Sequence, residues 1–365
     1  MIEYYDNMPL NLDNVSTQIN SMSVSLSSQH HLRLTLIEKA LESLITLGLN
    51  KAHAPTKNPI EYQVLAVDGS HIDIDRHMPV RCALINLSRI VLRYGETPFA
   101  MLDSHPDLYA KPEELYIHNP DGEEKLPLQG PLLSLVRTVQ EASQLAQIAE
   151  DNSTNLPTLA LIDGSLILWG PELSTYPKYI RTHLLEDGIL DALNRIQALA
   201  TRYPLAVAAY ISLPRSTTIL NSLPIPQQVK DGVGEITDRD LFEQTLNKGE
   251  RSDIFDSNSS LVKEYYGDQS IHFYYLNTGD EIARVEIPSW VAKDQGLLEL
   301  SHSLILDQCE KGFGYPVAIM EAHEQAVIGG SDRELFRKMV EDSLTKHQLP
   351  VYTSQKERSK RLRLI

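Results

Sequence analysis

The chain reads as an α/β protein whose mixed sheet carries helices on its faces. Three observations predict this. Short apolar runs at residues 64–67, 159–162 and 205–211 have the length and composition of buried strands. Helical patterns at 131–150 and 179–201 alternate with the last two of those runs. The extended stretches 80–94 and 99–102 follow the first run closely enough to form a three-stranded antiparallel meander with it.

Taken in order, residues 1–58 are expected to form an N-terminal helical extension. Leu32, Leu34, Leu36, Ile37, Ala40, Leu41, Leu44 and Leu47 supply its apolar stripe. A turn-rich stretch at 54–59 leads into the first strand. Residues 103–128 are polar, and Asn119-Pro120-Asp121-Gly122 is a turn, so an inserted hairpin or loop is expected there. In the helix at 131–150, Leu132, Val136, Val139, Ala142 and Ala146 share the core face. Glu141 lies on the other side, in line with Leu145 and Ile148, so this helix is apolar on two sides. A carboxylate on that second face sits near its rim or turns toward a site.

After 212–266, which is turn-rich, Thr237 and Asp238 are expected to cap a short helix at 240–246. Segments 271–276 and 281–287 flank Asn277-Thr278-Gly279-Asp280, a hairpin signal. Helices fit 295–311, 322–328 and 333–346, the last with Ser331 and Glu334 at capping-box spacing. Residues 59–365 show no linker and no low-complexity tract, which predicts a single domain with C-terminal elaborations.

The 365 residues suffice for a large core, and 42% hydrophobic with 22% charged residues is ordinary for a soluble protein. Cys82 and Cys309 show no metal spacing, and the first residues carry neither the basic nor the apolar region of a signal peptide. A reducing cytosol fits. The net charge of −16 argues against a protein that coats nucleic acid through bulk electrostatics. One basic strip stands out: the tail from Lys356 to Arg363 holds Lys356, Arg358, Lys360, Arg361 and Arg363.

The feature richest in chemistry is a repeated cassette. An apolar run ends in Asp68-Gly69-Ser70, and another ends in Asp163-Gly164-Ser165. Each delivers a carboxylate at a strand end, followed by a tight turn. Asp-Gly-Ser is also ordinary turn chemistry. Two such aspartates, however, are a common way to build a site for hard divalent cations, which prefer oxygen ligands and serve phosphate chemistry. Phosphate-binding glycine loops, dinucleotide fingerprints, His-Glu-x-x-His and Gly-x-Ser-x-Gly are all missing from the sequence. Near the C-terminus, Gly314-Tyr315-Pro316 precedes Glu321-Ala322-His323-Glu324. His323 is expected in the first turn of a helix, where the dipole disfavours the imidazolium; it is either a surface histidine or a neutral ligand.

An ordered set of motifs resembles the NurA nucleases. It comprises the two Asp-Gly-Ser cassettes, Tyr-Ile-Ser-Leu-Pro-Arg-Ser at 210–216, Lys-Gly-Glu-Arg-Ser at 248–252, Gly314-Tyr315-Pro316 with His323, and the Lys-Glu-Arg-Ser-Lys tail. The resemblance implies a ribonuclease-H-like sheet. It implies that Asp68, Glu141 and Asp163 hold the catalytic metals, with Glu150 as the rival acid on the same helix, and that Tyr315 and His323 complete the site.

It further implies a manganese-dependent DNA nuclease (magnesium being the other suitable ion) acting by two-metal phosphodiester hydrolysis. Asp68 would bridge both ions, with Arg215, Arg251, Lys356, Arg358 and Lys360 on the phosphates. The resemblance also implies a homodimer docked on a hexameric HerA-type ATPase, working in DNA end processing and repair in the prokaryotic cytoplasm. Two other readings compete. One is a non-catalytic interaction subunit of such a complex; the other is a metal-dependent phosphohydrolase for small molecules.

Overall fold

The computed structural model describes residues 10–73, 80–170, 173–225 and 236–350. Helix α1 (Leu12–Thr46) is capped by Asn11, whose side chain accepts from the Asn14 amide at 3.0 Å. Leu36, Ile37, Ala40 and Leu44 in its second half are buried in a small core with Leu220, Leu241, Phe242 and Tyr275. The short strand β1 (Ala52–His53) follows.

Strands β2 (Tyr62–Val67) and β3 (Gly69–Ile72) both pair antiparallel with one side of β4 (Ala83–Tyr94), and β5 (Phe99–Tyr109) pairs with the other. The meander is as expected, but β5 runs seven residues past 102. Its extension is polar because β5 is an edge strand. Arg89 sits opposite Asp103 and grips it with two hydrogen bonds of 2.8 and 2.7 Å. The inserted hairpin is shorter than expected: β6 (Tyr116–His118) and β7 (Lys125–Pro127), joined through the Asn119–Gly122 turn.

Helix α2 (Pro131–Asp151) leads to β8 (Thr158–Asp163). Helix α3 (Lys178–Leu184), a π turn at Leu185–Leu190 and α4 (Asp191–Ala200) run without a break into the approach to β9 (Leu205–Ile211). Next come α5 (Thr218–Ser222), α6 (Asp238–Thr245), β10 (Arg251–Ser252) and β11 (Phe255–Asp256). The hairpin β12 (Ile271–Asn277) and β13 (Ile282–Pro288) forms as its turn signal predicts. The chain closes with α7 (Ser289–Lys293), α8 (Gln295–Lys311), α9 (Val317–Ala326) and α10 (Gly330–Lys346). The cap of α10 is Asp332, which accepts from the Gly329 amide at 2.8 Å, and not the expected Ser331–Glu334 pair.

Among the described residues, eleven strands form one sheet in the order β1-β10-β12-β13-β9-β8-β2-β4-β3, with β5 on β4 and β11 on β12. The centre, β2-β8-β9, is parallel, and its neighbours β4 and β13 are antiparallel. Val64, Leu65, Leu159, Leu161, Val207 and Ala208 are all fully buried, so successive residues on both faces are covered. Helices α2 and α4 pack together against this centre, as do α8 and α9. Each fully buried Leu or Val contributes about 1.5–3 kcal/mol relative to exposure, so the centre is the stiff part of the molecule. No helix among the described residues is long and apolar enough to cross a membrane.

Candidate active site

The site grows out of strand register. Val67 on β2 pairs in parallel with Ile162 on β8, so the next residues, Asp68 and Asp163, stand side by side at the strand ends. Paired strands lie about 4.8 Å apart, and residues level with each other point to the same face.

The two cassettes achieve this differently. At Asp163 the turn is real: Gly164 has φ +92° and donates its amide to the Tyr210 carbonyl at 2.9 Å, which carries the chain out of the sheet. At Asp68 the expected tight turn is absent. Ala66 faces Ile90 and Gly69 faces Leu87 in one unbroken register. The strand continues because Ser88 bridges the break. Its hydroxyl accepts from the Asp68 amide at 2.9 Å, and its amide donates to the Asp68 carbonyl at 2.8 Å.

Two side chains from the C-terminal part of the chain meet these carboxylates. The Tyr315 hydroxyl donates to Asp163 Oδ1 at 2.9 Å, and its ring stands edge-on to Tyr210 with centroids 5.5 Å apart. His323 Nδ1 lies 3.0 Å from Asp68 Oδ2. The helix bearing His323 begins at Val317, directly after Pro316, five residues earlier than the sequence suggests. The apolar Val-Ala-Ile-Met start offers no polar cap to read, yet Ala318, Ile319, Ala322 and Ala326 all bury against the sheet. His323 therefore occupies the last turn of this helix and not the first turn expected from the sequence.

Glu141 approaches from α2. Adjacent residues of a strand point to opposite faces, so the hydrogens of Gly69 face away from the Asp68 side chain. A Cβ on Gly69 would lie 2.7 Å from Glu141 Oε1, so the glycine makes room for this carboxylate. Glu141 is 7% exposed and bonded to Arg137, one helical turn earlier, which also donates to the Gly69 carbonyl at 2.7 Å. Burial pushes the Glu141 carboxyl up, to about 8, with Asp68 and Asp163 adding to the rise and Arg137 opposing it. Asp163 is also held above its ordinary range, by burial of its neighbourhood and by Asp68, against Tyr315 and His323. Glu150, at the far end of α2, is paired with Arg195 at 2.7 Å. The structure thus brings Glu141, and not Glu150, to the strand ends.

Asp68, Gly69, Arg137, Asp163, His323 and Arg333 line an open cleft of about 490 Å³. Carboxylates gathered this closely form a site with unspent negative charge, and oxygen ligands suit a hard divalent cation. Among the described residues, no three of these groups point at one spot as placed. Glu141 turns to Arg137, and Asp163 turns to Tyr315.

The basic residues divide. Arg215 is exposed beside a groove next to the second cassette. Arg251 does not match its expected place: it is buried on β10, its guanidinium 5.7 Å from the Tyr274 ring, and it presents no surface to a phosphate. Lys356, Arg358 and Lys360 lie outside the described residues. Sequence reasoning missed Arg137, Ser88 and Arg333. Arg137 carried a legible signal, its i−4 spacing from Glu141. Ser88 and Arg333 carried none, because only strand register and helix docking bring them in.

A mixed sheet with two aspartates on adjacent central strands, and a third acid on a covering helix, is an arrangement that suits a metal-dependent nuclease. The chain belongs to the NurA family: the NurA domain model matches residues 62–328. It shares its fold with the crystal structure of the NurA nuclease from Sulfolobus solfataricus, with a TM-score of 0.55 at 14% identity over 90% of this chain and 98% of that one. A crystal structure of NurA bound to dAMP and manganese aligns more loosely, with a TM-score of 0.38 at 13% identity, covering 84% of this chain and 94% of that one. The catalytic domain of human endonuclease V gives a TM-score of 0.35 at 15% identity over 84% and 97% of the two chains. No curated protein sequence matches the chain.

Proposed function

We propose that this protein is a divalent-metal-dependent DNA nuclease, an exonuclease, an endonuclease or both, with manganese as its preferred ion, that hydrolyses phosphodiester bonds in DNA end processing. The observation that carries the proposal is the in-register placement of Asp68 and Asp163 on β2 and β8, with Glu141 packed behind Gly69 on the covering helix. Asp68, Asp163 and Glu141 would hold the metal, and His323 would complete the set. When bound, a pair of divalent ions supplies Lewis-acid stabilisation and an activated water for in-line displacement.

The chain's own groups have defined tasks. Tyr315 ties down Oδ1 of Asp163 and so fixes the orientation of that carboxylate at the cleft. Glu141 must give up its proton and its bond to Arg137 to act as a ligand. The freed Arg137 then offers its guanidinium to the phosphate from within the same cleft. His323, set against Asp68, orients that carboxylate from the exposed side of the cleft.

Two features support a role with DNA supplied by a partner. The surface is acidic overall, so the substrate is better delivered than captured from solution, and the sequence holds no ATPase motif. A cytoplasmic homodimer docked on a hexameric HerA-type ATPase, working in DNA end repair, fits both. The test is degradation of single- and double-stranded DNA by the purified protein with manganese, beside the Asp68→Ala variant. Manganese-dependent degradation by the parent alone supports the proposal. Degradation by both proteins, or by neither even with the ATPase present, rejects it.

A further inference from the structure

We propose that the groove beside the second Asp-Gly-Ser turn is a stacking subsite for one base of a single-stranded nucleotide, with the indole of Trp169 as its platform. The inference rests on the nuclease reading above and adds to it the part of the substrate that the metal cleft does not reach.

Trp169 is 59% exposed, which is costly for so large an apolar ring, yet its position is tightly specified. Its Nε1–H donates to Ser165 Oγ at 3.0 Å, two residues past Asp163. Ser165 in turn donates to Glu286 Oε2 at 2.5 Å. Glu286 is 1% exposed and also accepts from the Leu166 amide at 3.1 Å and from Arg284 Nε at 3.1 Å. Arg284 lies 3.6 Å above the Phe273 ring centroid and reaches Ser216 Oγ at 3.1 Å. This buried ion-pair network on β13 anchors the turn that carries both Asp163 and the indole. The polar edge of Trp169 is engaged, and its ring faces are left for a partner.

The groove itself encloses about 540 Å³, within the range of about 300–1,000 Å³ for small-molecule pockets. Around Trp169 it presents Arg215, Asn221, Ser222, Asn258 and Ser259. Amides and hydroxyls that can read a base edge, one cation for a phosphate and one aromatic face together suit a nucleotide. Aromatic platforms accept any base because every base has a π face, and they require it unstacked, which selects single strands.

The test uses the full chain carrying Trp290→Phe, so that Trp169 is the sole tryptophan. Its emission is followed while oligothymidylate or an abasic oligonucleotide of equal length is added, with calcium as the divalent ion. The expected result is quenching by oligothymidylate alone, with the abasic strand bound roughly 5- to 100-fold more weakly. Trp169→Ala should weaken oligothymidylate to the abasic level, Trp169→Phe should retain most of the binding, and the loss of kcat/KM should be larger on DNA than on bis(p-nitrophenyl) phosphate, which has no base. Binding without quenching, or equal binding to the Ala variant, overturns the subsite. Quenching in a protein that cleaves neither DNA nor the small diester keeps the subsite and removes the nuclease reading. Failure of any oligonucleotide to bind removes the subsite, and the nuclease reading then stands or falls on the DNA degradation assay.

Discussion

Asp68 Oδ2 and His323 Nδ1 stand 3.0 Å apart although 255 residues separate them in the chain. The pair joins the edge of a central strand to the last turn of a covering helix, so the docking of α9 on the sheet completes the site. His323→Ala should therefore lower DNA hydrolysis by about 10- to 100-fold, the usual cost of losing a group that orients a ligand. The Asp68→Asn variant should lose more than about 100-fold while its thermal midpoint holds or rises, because one crowded charge is gone. Steady-state rates and thermal melts of the two variants check this.

Gly69 is a second point of sensitivity. A Cβ there meets Glu141 Oε1 at 2.7 Å and Leu87 Cδ2 at 2.9 Å. Gly69→Ala should displace Glu141 and cost about 1–3 kcal/mol through overpacking. Denaturant melts measure the stability, and activity should fall by more than that loss of folded protein explains.

Metal binding should be visible without catalysis. Manganese at about 100 times its dissociation constant stabilises a folded protein by about 2.7 kcal/mol, and a chelator should reverse the rise in midpoint. The shift should shrink in Glu141→Gln, which keeps the shape of the side chain and removes its charge. An undiminished shift would place the metal elsewhere.

Glu150 provides the matching control on the same helix. Its pairing with Arg195 is partly exposed, so Glu150→Gln should change stability by less than about 1 kcal/mol. Nuclease activity should remain within about twofold of the parent. A loss comparable to that of Glu141→Gln would reassign the helix-borne acid.

His302 gives the pH prediction away from the site. It is 1% exposed, its Nε2 bonds the Gly249 carbonyl at 2.8 Å, and burial drives its pKa down to about 4. The unfolded chain then binds more protons than the folded one between about 6.5 and 4, so stability falls as pH drops through that window. The loss approaches about 3 kcal/mol below pH 4, at 1.36 kcal/mol per pKa unit. His302→Gln should flatten this slope in urea melts taken from pH 7 to pH 4.

The local pattern of residues determined the central strands, the hairpin at 277–280, the long helix bearing Glu141 and Asp163 at a strand end. Those features are legible because period, turn chemistry and capping act over a few residues. Burial on the helix's second face already marked Glu141 as unusual. What the sequence could not decide was anything governed by pairing across the chain. Only the shared register of β2 with β8 sets Asp68 beside Asp163, and only β4 supplies Ser88 to carry the strand through Asp68. Residues 103–109 read as loop because an edge strand needs no apolar residues, and Arg251 read as surface because its burial depends on β12 and α8. Helix α9 starts without a polar cap because its burial against the sheet stabilises it, and that tertiary contact is what places His323 on Asp68.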